Sequence, residues 1–186
     1  MSKFENEIYI EEKVKNGSMS TFHWMDISIY QKLSEEFIEK YADKLDWLSI
    51  SQYQVLSEKF IERYTDKLNW INICRHQKLS EKFMQKHRDK INWSLICMHQ
   101  KLSEEFIDRH SEVFNWRLIS EYQKLSEEFI LKNHDKVNWV YLSIKQKLSE
   151  KFIFDHIDKL DIGLLSDNPN IEKTEKLKTL FKLGEL

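Results

Sequence analysis

The chain has 186 residues, and its 29 basic and 31 acidic side chains leave a formal net charge of −2. This balance argues against a dedicated binder of nucleic acid or of anionic membranes, because such proteins carry a strong basic excess. With 41% hydrophobic residues, three glycines and one proline, the composition is typical of an almost entirely helical chain with a buried core. No run of about 18 apolar residues is present, so we expect no transmembrane helix and no membrane partner.

The N-terminal sequence and the cysteines predict an intracellular, cytoplasmic location. The start, MSKFENEIYIEEK, scatters charges and lacks the apolar segment of a secretory signal. Cys74 and Cys97 are too few for a disulfide framework, and a reducing compartment is the default for such a chain.

The first predicted element is a helix over residues 1–16. It ends at Asn16-Gly17, where the glycine is typical of a helix C-cap. Because it lies outside the regular pattern that follows, we predict that residues 1–21 cap the N-terminal end of a repeat array.

A repeat of 23 residues then runs from residue 22 to residue 165. Its clearest marker is tryptophan, at Trp24, Trp47, Trp70, Trp93, Trp116 and Trp139. Leucine keeps the same interval from Leu33 to Leu148, and phenylalanine from Phe37 to Phe152. A fixed period between 20 and 50 residues is the signature of a solenoid or a related array.

Each repeat is predicted to contain two short helices of about ten residues. The first begins after a serine such as Ser34, a favoured N-cap, and opens with glutamate, which suits the helix dipole. The second begins after Asp46 or its asparagine equivalents, which are again N-cap residues. Such short helices are not stable alone, so neighbouring repeats must bury their apolar faces.

The array is predicted to end in a C-terminal cap over residues 166–186. Ile162 replaces the expected tryptophan, and Asn168-Pro169 is typical of an N-cap followed by a first helical residue. We therefore predict an all-α fold: one α-solenoid domain over residues 1–186, made of paired short antiparallel helices with two irregular caps.

Two cysteines and two histidines, Cys74 with His76 and Cys97 with His99, raise a zinc hypothesis. Residues two apart on a helix point about 200° away from each other, which argues against it. Serine occupies the cysteine position in other repeats, which indicates a slot for a small buried side chain. We predict no metal and no cofactor.

One position on the core side of the first helices carries a side chain with a polar tip in each repeat: Tyr41, Tyr64, His87, His110, Asn133 and His156. Catalysis needs a base, a nucleophile and an orienting group that converge in one pocket. A row repeated along an array is instead typical of packing, with polar tips bonded along the stack. The sequence therefore predicts a protein that is not an enzyme.

Glutamine occupies one position in every repeat, from Gln31 to Gln146 at intervals of 23. One interpretation is a ladder that grips a bound peptide backbone. The other, which we favour, is that each amide satisfies buried backbone groups of the turn between repeats.

The candidate partner-binding residues form a row that flanks the buried face of the second helices. The row contains Tyr30, Tyr53, His76, His99 and Tyr122, followed by Lys145. At about 100° from the centre of the buried face these side chains should be partly exposed. They could stack on nucleic-acid bases, anchor a protein partner, or shield the seam between repeats.

Positions that vary between repeats are free to specify a partner, and Arg75, Met98 and Arg117 are the candidates among them. A protein is the favoured partner. The alternative partner is single-stranded nucleic acid or a nucleotide bound on the Tyr/His row. Acidic and basic rows alternate along the helices, so no continuous positive track is expected for a phosphate backbone, and this disfavours nucleic acid. The oligomeric state is left open.

The recurring pattern QKLSEEFIxKxxDKxxWxxIS resembles short tandem repeats of uncharacterised proteins from large DNA viruses and phages. The resemblance covers roughly residues 22–165 and implies no particular reaction or ligand. For a small acidic binding protein of viral origin, it implies a role as an inhibitor of a host defence factor, acting in the host cytoplasm.

Overall fold

The computed structural model describes residues 3–18 and 20–184, and every regular element within these ranges is an α-helix. The helices are α1 (Lys3–Lys15), α2 (Thr21–Tyr30), α3 (Glu35–Lys40), α4 (Trp47–Tyr53), α5 (Glu58–Arg63), α6 (Trp70–His76), α7 (Glu81–Lys86), α8 (Trp93–His99), α9 (Glu104–Arg109), α10 (Trp116–Tyr122), α11 (Glu127–Lys132), α12 (Trp139–Lys145), α13 (Glu150–Asp155), α14 (Ile162–Asp167) and α15 (Glu175–Gly184). The predicted all-α repeat fold with a 23-residue period is confirmed.

The chain divides into two compact units, Met1–Asn92 and Trp93–Leu186. In the first unit α2 contacts α4 and α4 contacts α6; in the second, α8, α10, α12 and α14 contact one another in succession, and α15 packs on α14. Within each unit, therefore, the second helices of neighbouring repeats lie side by side, as in a solenoid. That the whole chain forms one domain stays a prediction.

The helices of the regular repeats are shorter than predicted, with six residues in the first and seven in the second. The predicted caps explain where they begin: Ser126 accepts a hydrogen bond from the backbone N–H of Phe129, and Asn138 accepts one from that of Tyr141. The second helix ends where Gln146 adopts an extended conformation. None of the described helices has the length and apolar character needed to cross a membrane.

The core of each unit is a column of aliphatic side chains, one from each short helix. All of its members are fully buried: Ile38, Ile50, Ile61, Ile73 and Met84 in the first unit, and Ile96, Ile107, Ile119, Ile130, Leu142, Ile153 and Leu165 in the second. Burial of one such side chain contributes about 1.5–3 kcal/mol, so this column contributes substantially to the stability of each unit.

The tryptophans join each repeat to the next. The ring of Trp139 lies 6.4 Å from that of Phe152 and 5.8 Å from that of His156, both on the following first helix. The ammonium group of Lys159 also lies over the indole, 5.1 Å from the ring centre. His156 also bonds the carbonyl of Phe152 at 2.9 Å. The core-side histidine thus has a packing role, as predicted from its repetition.

The glutamate that opens each first helix has a partner that the sequence did not reveal. Its carboxylate accepts hydrogen bonds from the serine that caps the first helix of the next repeat. Glu127, for example, accepts from the backbone N–H of Ser149 at 2.6 Å and from its hydroxyl at 3.1 Å. A second row of contacts joins acidic and basic side chains of successive first helices, such as Lys132 and Asp108 at 2.8 Å.

At the N-terminal end, α1 belongs to both of these rows. Glu7 accepts hydrogen bonds from the N–H and hydroxyl of Ser34, and Glu11 pairs with Lys40 at 2.7 Å. The helix ends at the predicted C-cap, where Gly17 has a φ of 68°. The predicted cap is therefore the first helix of an additional, longer repeat.

At the C-terminal end the prediction of a helix beginning at Asn168-Pro169 is wrong, because α15 begins at Glu175. Asn168 instead ends α14, and its buried amide donates to the carbonyls of Ser143 and Gln146 at 2.8 and 2.9 Å. It takes over the role of the repeat glutamine with a shorter side chain. Thr174 then bonds Glu150, so α15 occupies the place of a first helix.

Candidate partner-binding ridge

The repeat glutamines form a ladder, with Gln54, Gln77, Gln123 and Gln146 buried, that sets the register of neighbouring repeats. Gln123 accepts a hydrogen bond from the N–H of Leu102 at 3.0 Å and donates to the carbonyls of Cys97 and Gln100 at 2.6 and 2.8 Å. Gln54 and Gln146 make the equivalent contacts. The favoured interpretation, that the amides satisfy buried backbone groups, is confirmed, and those groups belong to the preceding repeat.

The extended conformation of each glutamine determines where its two neighbours point. Gln123 has φ −95° and ψ 150°. Side chains alternate in extended backbone, so when the glutamine points inward the residues before and after it point outward. Tyr122 and Lys124 are accordingly both exposed.

In each unit we call the row of outward-pointing pairs the ridge of that unit. In the first unit its pairs are Tyr30 with Lys32, Tyr53 with Val55, and His76 with Lys78; in the second they are His99 with Lys101, Tyr122 with Lys124, and Lys145 with Lys147. All twelve side chains are exposed, and the predicted candidates Tyr30, Tyr53 and Tyr122 are 75%, 51% and 47% exposed. The predicted partial exposure of the row is thus observed.

The lysine half of the ridge was missed by the sequence reasoning. The signal was present, because lysine follows the repeat glutamine in five of six repeats and only Val55 departs from it. The lysine position lies after the end of the second helix, so helical spacing does not predict which way its side chain points. Val55 is 89% exposed, the highest exposure of any large apolar side chain in the described part of the chain.

The variable candidates lie beside the ridge in their own units. Arg75 precedes His76 and is exposed, while Met98 precedes His99 and is half-buried. Arg117 is exposed and held in place: its Nε donates to the hydroxyl of Tyr141 at 2.9 Å, and its guanidinium lies 4.9 Å from the ring centre. Arg117 therefore presents a positive charge in a fixed position.

Acidic Glu121 interrupts the basic character of the same surface. Its carboxylate is the main reason why the pKa of Tyr122 is raised above its ordinary value; burial adds to this, and Arg117 opposes it. Tyr122 therefore lies in the field of both a negative charge, Glu121, and a positive one, Arg117.

Charges in the second unit differ between the helices that carry the ridge and the first helices. The three second helices with ridge residues (93–101, 115–124 and 138–147) carry five basic side chains and one acidic, whereas the segment of α14 (161–168) carries two acidic and none basic. The first helices with their turns (102–114, 125–137 and 148–160) carry ten acidic side chains and five basic. The side that carries the ridge is therefore positive, although the whole chain is slightly negative.

Tyr30, at the start of the ridge, also borders a cleft of about 500 Å³ between α1 and α2. Its floor includes the buried Ile10 and Ile27, and Tyr9 and Asp26 line its sides. The cleft lies at one end of the first unit and is not continued along the repeats.

The cysteines occupy the predicted small-residue slot and are buried. Burial raises the pKa of both thiols, that of Cys97 to about 11. The slot also carries a contact: Ser120 accepts from the N–H of Asn138 at 2.9 Å, and Cys74 accepts from that of Asn92 at 3.5 Å. Within residues 3–18 and 20–184 no group of three or more potential ligands is placed to hold a metal ion.

Comparisons with known proteins add nothing to this geometry. No protein-family model, no curated protein and no solved structure matches the chain.

Proposed function

We propose that this chain is a non-enzymatic binding scaffold that docks a protein partner on the ridge. One observation carries the proposal: the residues on both sides of each ladder glutamine point outward, and all of them except Val55 are aromatic or basic. Gln123, for example, holds two repeats together, while its neighbours Tyr122 and Lys124 both face solvent and are free to contact a partner.

The composition of the exposed surface supports a protein partner. Tyrosine and arginine are the side chains most enriched among binding hot spots, and Tyr53, Tyr122 and Arg117 are all exposed. Aliphatic side chains on the second helices add apolar area, with Leu48, Ile71 and Val140 each about half exposed. Exposed rings next to aliphatic and charged groups are typical of protein interfaces.

Single-stranded nucleic acid is the second candidate, because lysines lie beside the aromatic row. Such proteins combine a positively charged track with rings on which bases stack. The track is interrupted in the first unit by Val55, and Glu121 would repel phosphates near Tyr122. These two residues make nucleic acid the weaker candidate.

Two narrower proposals depend on other observations. The two cysteines, which are buried and too few for a disulfide framework, support a location inside the cell, where thiols stay reduced. The resemblance of the repeat pattern to proteins of large DNA viruses and phages supports a role as an inhibitor of a host defence factor.

A display selection tests the proposed function. The immobilised protein is offered a library of random peptides, and the enriched peptides are then measured against a variant in which Tyr53, His76, His99 and Tyr122 are replaced by Ala. We expect a family of related peptides to be enriched and its affinity for the variant to fall at least about tenfold, since each lost hot-spot ring costs more than about 1 kcal/mol.

A matched variant controls for loss of exposed apolar area. Leu131 and Phe154 are exposed residues of the first helices α11 and α13, and their replacement by Ala should leave peptide affinity unchanged. The proposal fails if no peptide family is enriched, or if both variants bind it equally well. Tight binding of oligothymidylate that only the ridge variant loses would favour the second candidate instead.

A further inference from the structure

We infer, building on the proposed function, that the ridge of the second unit recognises an acidic polypeptide segment in extended conformation with an acidic side chain at every third residue. The recognising groups are Lys101, Lys124 and Lys147, the three ridge lysines of successive repeats in that unit. The rings of His99 and Tyr122 lie beside them.

The glutamine ladder places these lysines in register. Gln123 bonds the carbonyl of Gln100 at 2.8 Å, and Gln146 bonds that of Gln123 at 2.6 Å. Each lysine directly follows one of these glutamines, so the three occupy equivalent positions. The helices before them, α8, α10 and α12, contact one another in succession. Packed helices lie about 8–10 Å apart, which sets the spacing of the lysines.

An extended polypeptide matches this spacing with three residues. Its rise is about 3.1 Å per residue in polyproline II conformation and about 3.3 Å in a β-strand, so three residues span about 9–10 Å. Acidic side chains at positions i, i+3 and i+6 therefore meet the three lysines one by one. The two residues between them lie over the aromatic half of the ridge.

Charge segregation favours an acidic segment over a neutral one. The ridge side of the second unit carries five basic side chains against one acidic, and all three ridge lysines are exposed. Among the described residues none of the three lysines forms an ion pair, whereas Lys132 on a first helix pairs with Asp108 at 2.8 Å. A polypeptide is favoured over nucleic acid because it can leave a neutral residue opposite Glu121.

The first unit provides a natural contrast. It has the same ladder, with Gln54 bonding the carbonyl of Gln31 and Gln77 bonding that of Gln54 at 2.7 Å each. Its lysine row, however, is broken by Val55 between Lys32 and Lys78. Only the second unit therefore offers three basic groups in succession.

The test uses fluorescence anisotropy with two labelled synthetic peptides of identical composition. One carries glutamate at every third position among serine and leucine, and the other carries the same glutamates in one block. We expect the spaced peptide to bind with a stoichiometry of one and at least about tenfold more tightly than the blocked peptide, and to weaken as salt is raised.

Three variants sharpen the result. Replacement of Lys101, Lys124 and Lys147 by Glu should abolish binding. The same change at Lys151, Lys178 and Lys182, which are exposed on α13 and α15, alters the net charge equally and should leave binding within about twofold. Val55→Lys completes a row of three in the first unit and should raise the stoichiometry from one peptide to two.

Equal affinity for the two peptides, an equal loss in both triple variants, or an unchanged stoichiometry in Val55→Lys would each overturn the inference. So would tighter binding of oligothymidylate that depends on the same three lysines. These failures are distinguishable from failure of the proposed function: ridge-dependent but non-acidic peptides in the display selection would leave a protein-binding scaffold with a different specificity.

Discussion

Glu104 and Ser126, 22 residues apart, are joined by two hydrogen bonds: the carboxylate accepts from the backbone N–H of Ser126 at 2.5 Å and from its hydroxyl at 3.0 Å. The same hydroxyl accepts from the N–H of Phe129 and so caps α11. One repeat thus orients the cap that begins the first helix of the next. This contact recurs between Glu35 and Ser57, Glu58 and Ser80, and Glu127 and Ser149.

The first prediction concerns this link. Glu104→Ala should lower the free energy of unfolding by about 1–2 kcal/mol, because it removes two charge-assisted hydrogen bonds and loosens a helix cap. Glu105→Ala is the matched control: its neighbouring carboxylate is exposed, and its loss should change stability by less than about 0.5 kcal/mol. Equal effects in urea denaturation would show that the link contributes nothing.

The second prediction concerns the glutamine ladder. Gln123→Ala should cost about 2–5 kcal/mol, because it leaves the N–H of Leu102 and the carbonyls of Cys97 and Gln100 without their buried partner. Replacement of Gln85, an exposed glutamine on α7, by Ala should be nearly neutral. A cost below about 1 kcal/mol for Gln123→Ala would mean that water replaces the amide and that the ladder does not fix the register.

The architecture within each repeat was predictable because six near-identical copies expose the pattern of their shared positions. Helix starts at Ser126 and Asn138 follow from cap chemistry, and the buried column follows from aliphatic spacing. Contacts between repeats were not predictable in the same way. A glutamate that favours the dipole of its own helix looks the same in sequence as one that also bonds the next repeat.

The ends and the ridge show two further limits. Asn168-Pro169 is typical of an N-cap followed by a first helical residue, but Asn168 stands one residue before the expected glutamine position and ends α14, so this local signal misplaced the start of the last helix. Lys124 escaped notice because its direction depends on the extended backbone of Gln123, which no helical wheel represents. Tyr122, which lies inside a helix, was correctly predicted to be exposed.

The third prediction concerns the small-residue slot. Cys74→Ser should leave stability unchanged within about 0.5 kcal/mol or raise it, because a hydroxyl accepts from the N–H of Asn92 as Ser120 does from that of Asn138. Cys74→Ala keeps the small size but removes the acceptor, and should cost about 1–2 kcal/mol. If the two variants are equally stable by thermal denaturation, the slot selects for size alone.

The fourth prediction concerns the row of ion pairs between successive first helices. The hydrogen bond from Lys86, followed by that from His87, lowers the pKa of Glu62 below its ordinary value. Because the folded-state pKa is the lower one, this pairing favours folding above the ordinary pKa of glutamate, and the contribution is lost as the pH falls through the folded value. NMR titration should show the pKa of Glu62 rising toward the ordinary value in Lys86→Met, and an unchanged pKa would contradict the pairing.

The central claim is that ridge side chains serve a partner, whereas the ladder beneath them holds the stack. The free energy of unfolding of Tyr122→Ala, measured without any ligand, tests it most directly, since a ring that shielded the seam between repeats would be needed for stability. We expect Tyr122→Ala to lower the free energy of unfolding by less than about 0.5 kcal/mol, as at other exposed positions. A loss of about 2 kcal/mol or more, approaching the cost of Gln123→Ala, would contradict it and make the ridge part of the core.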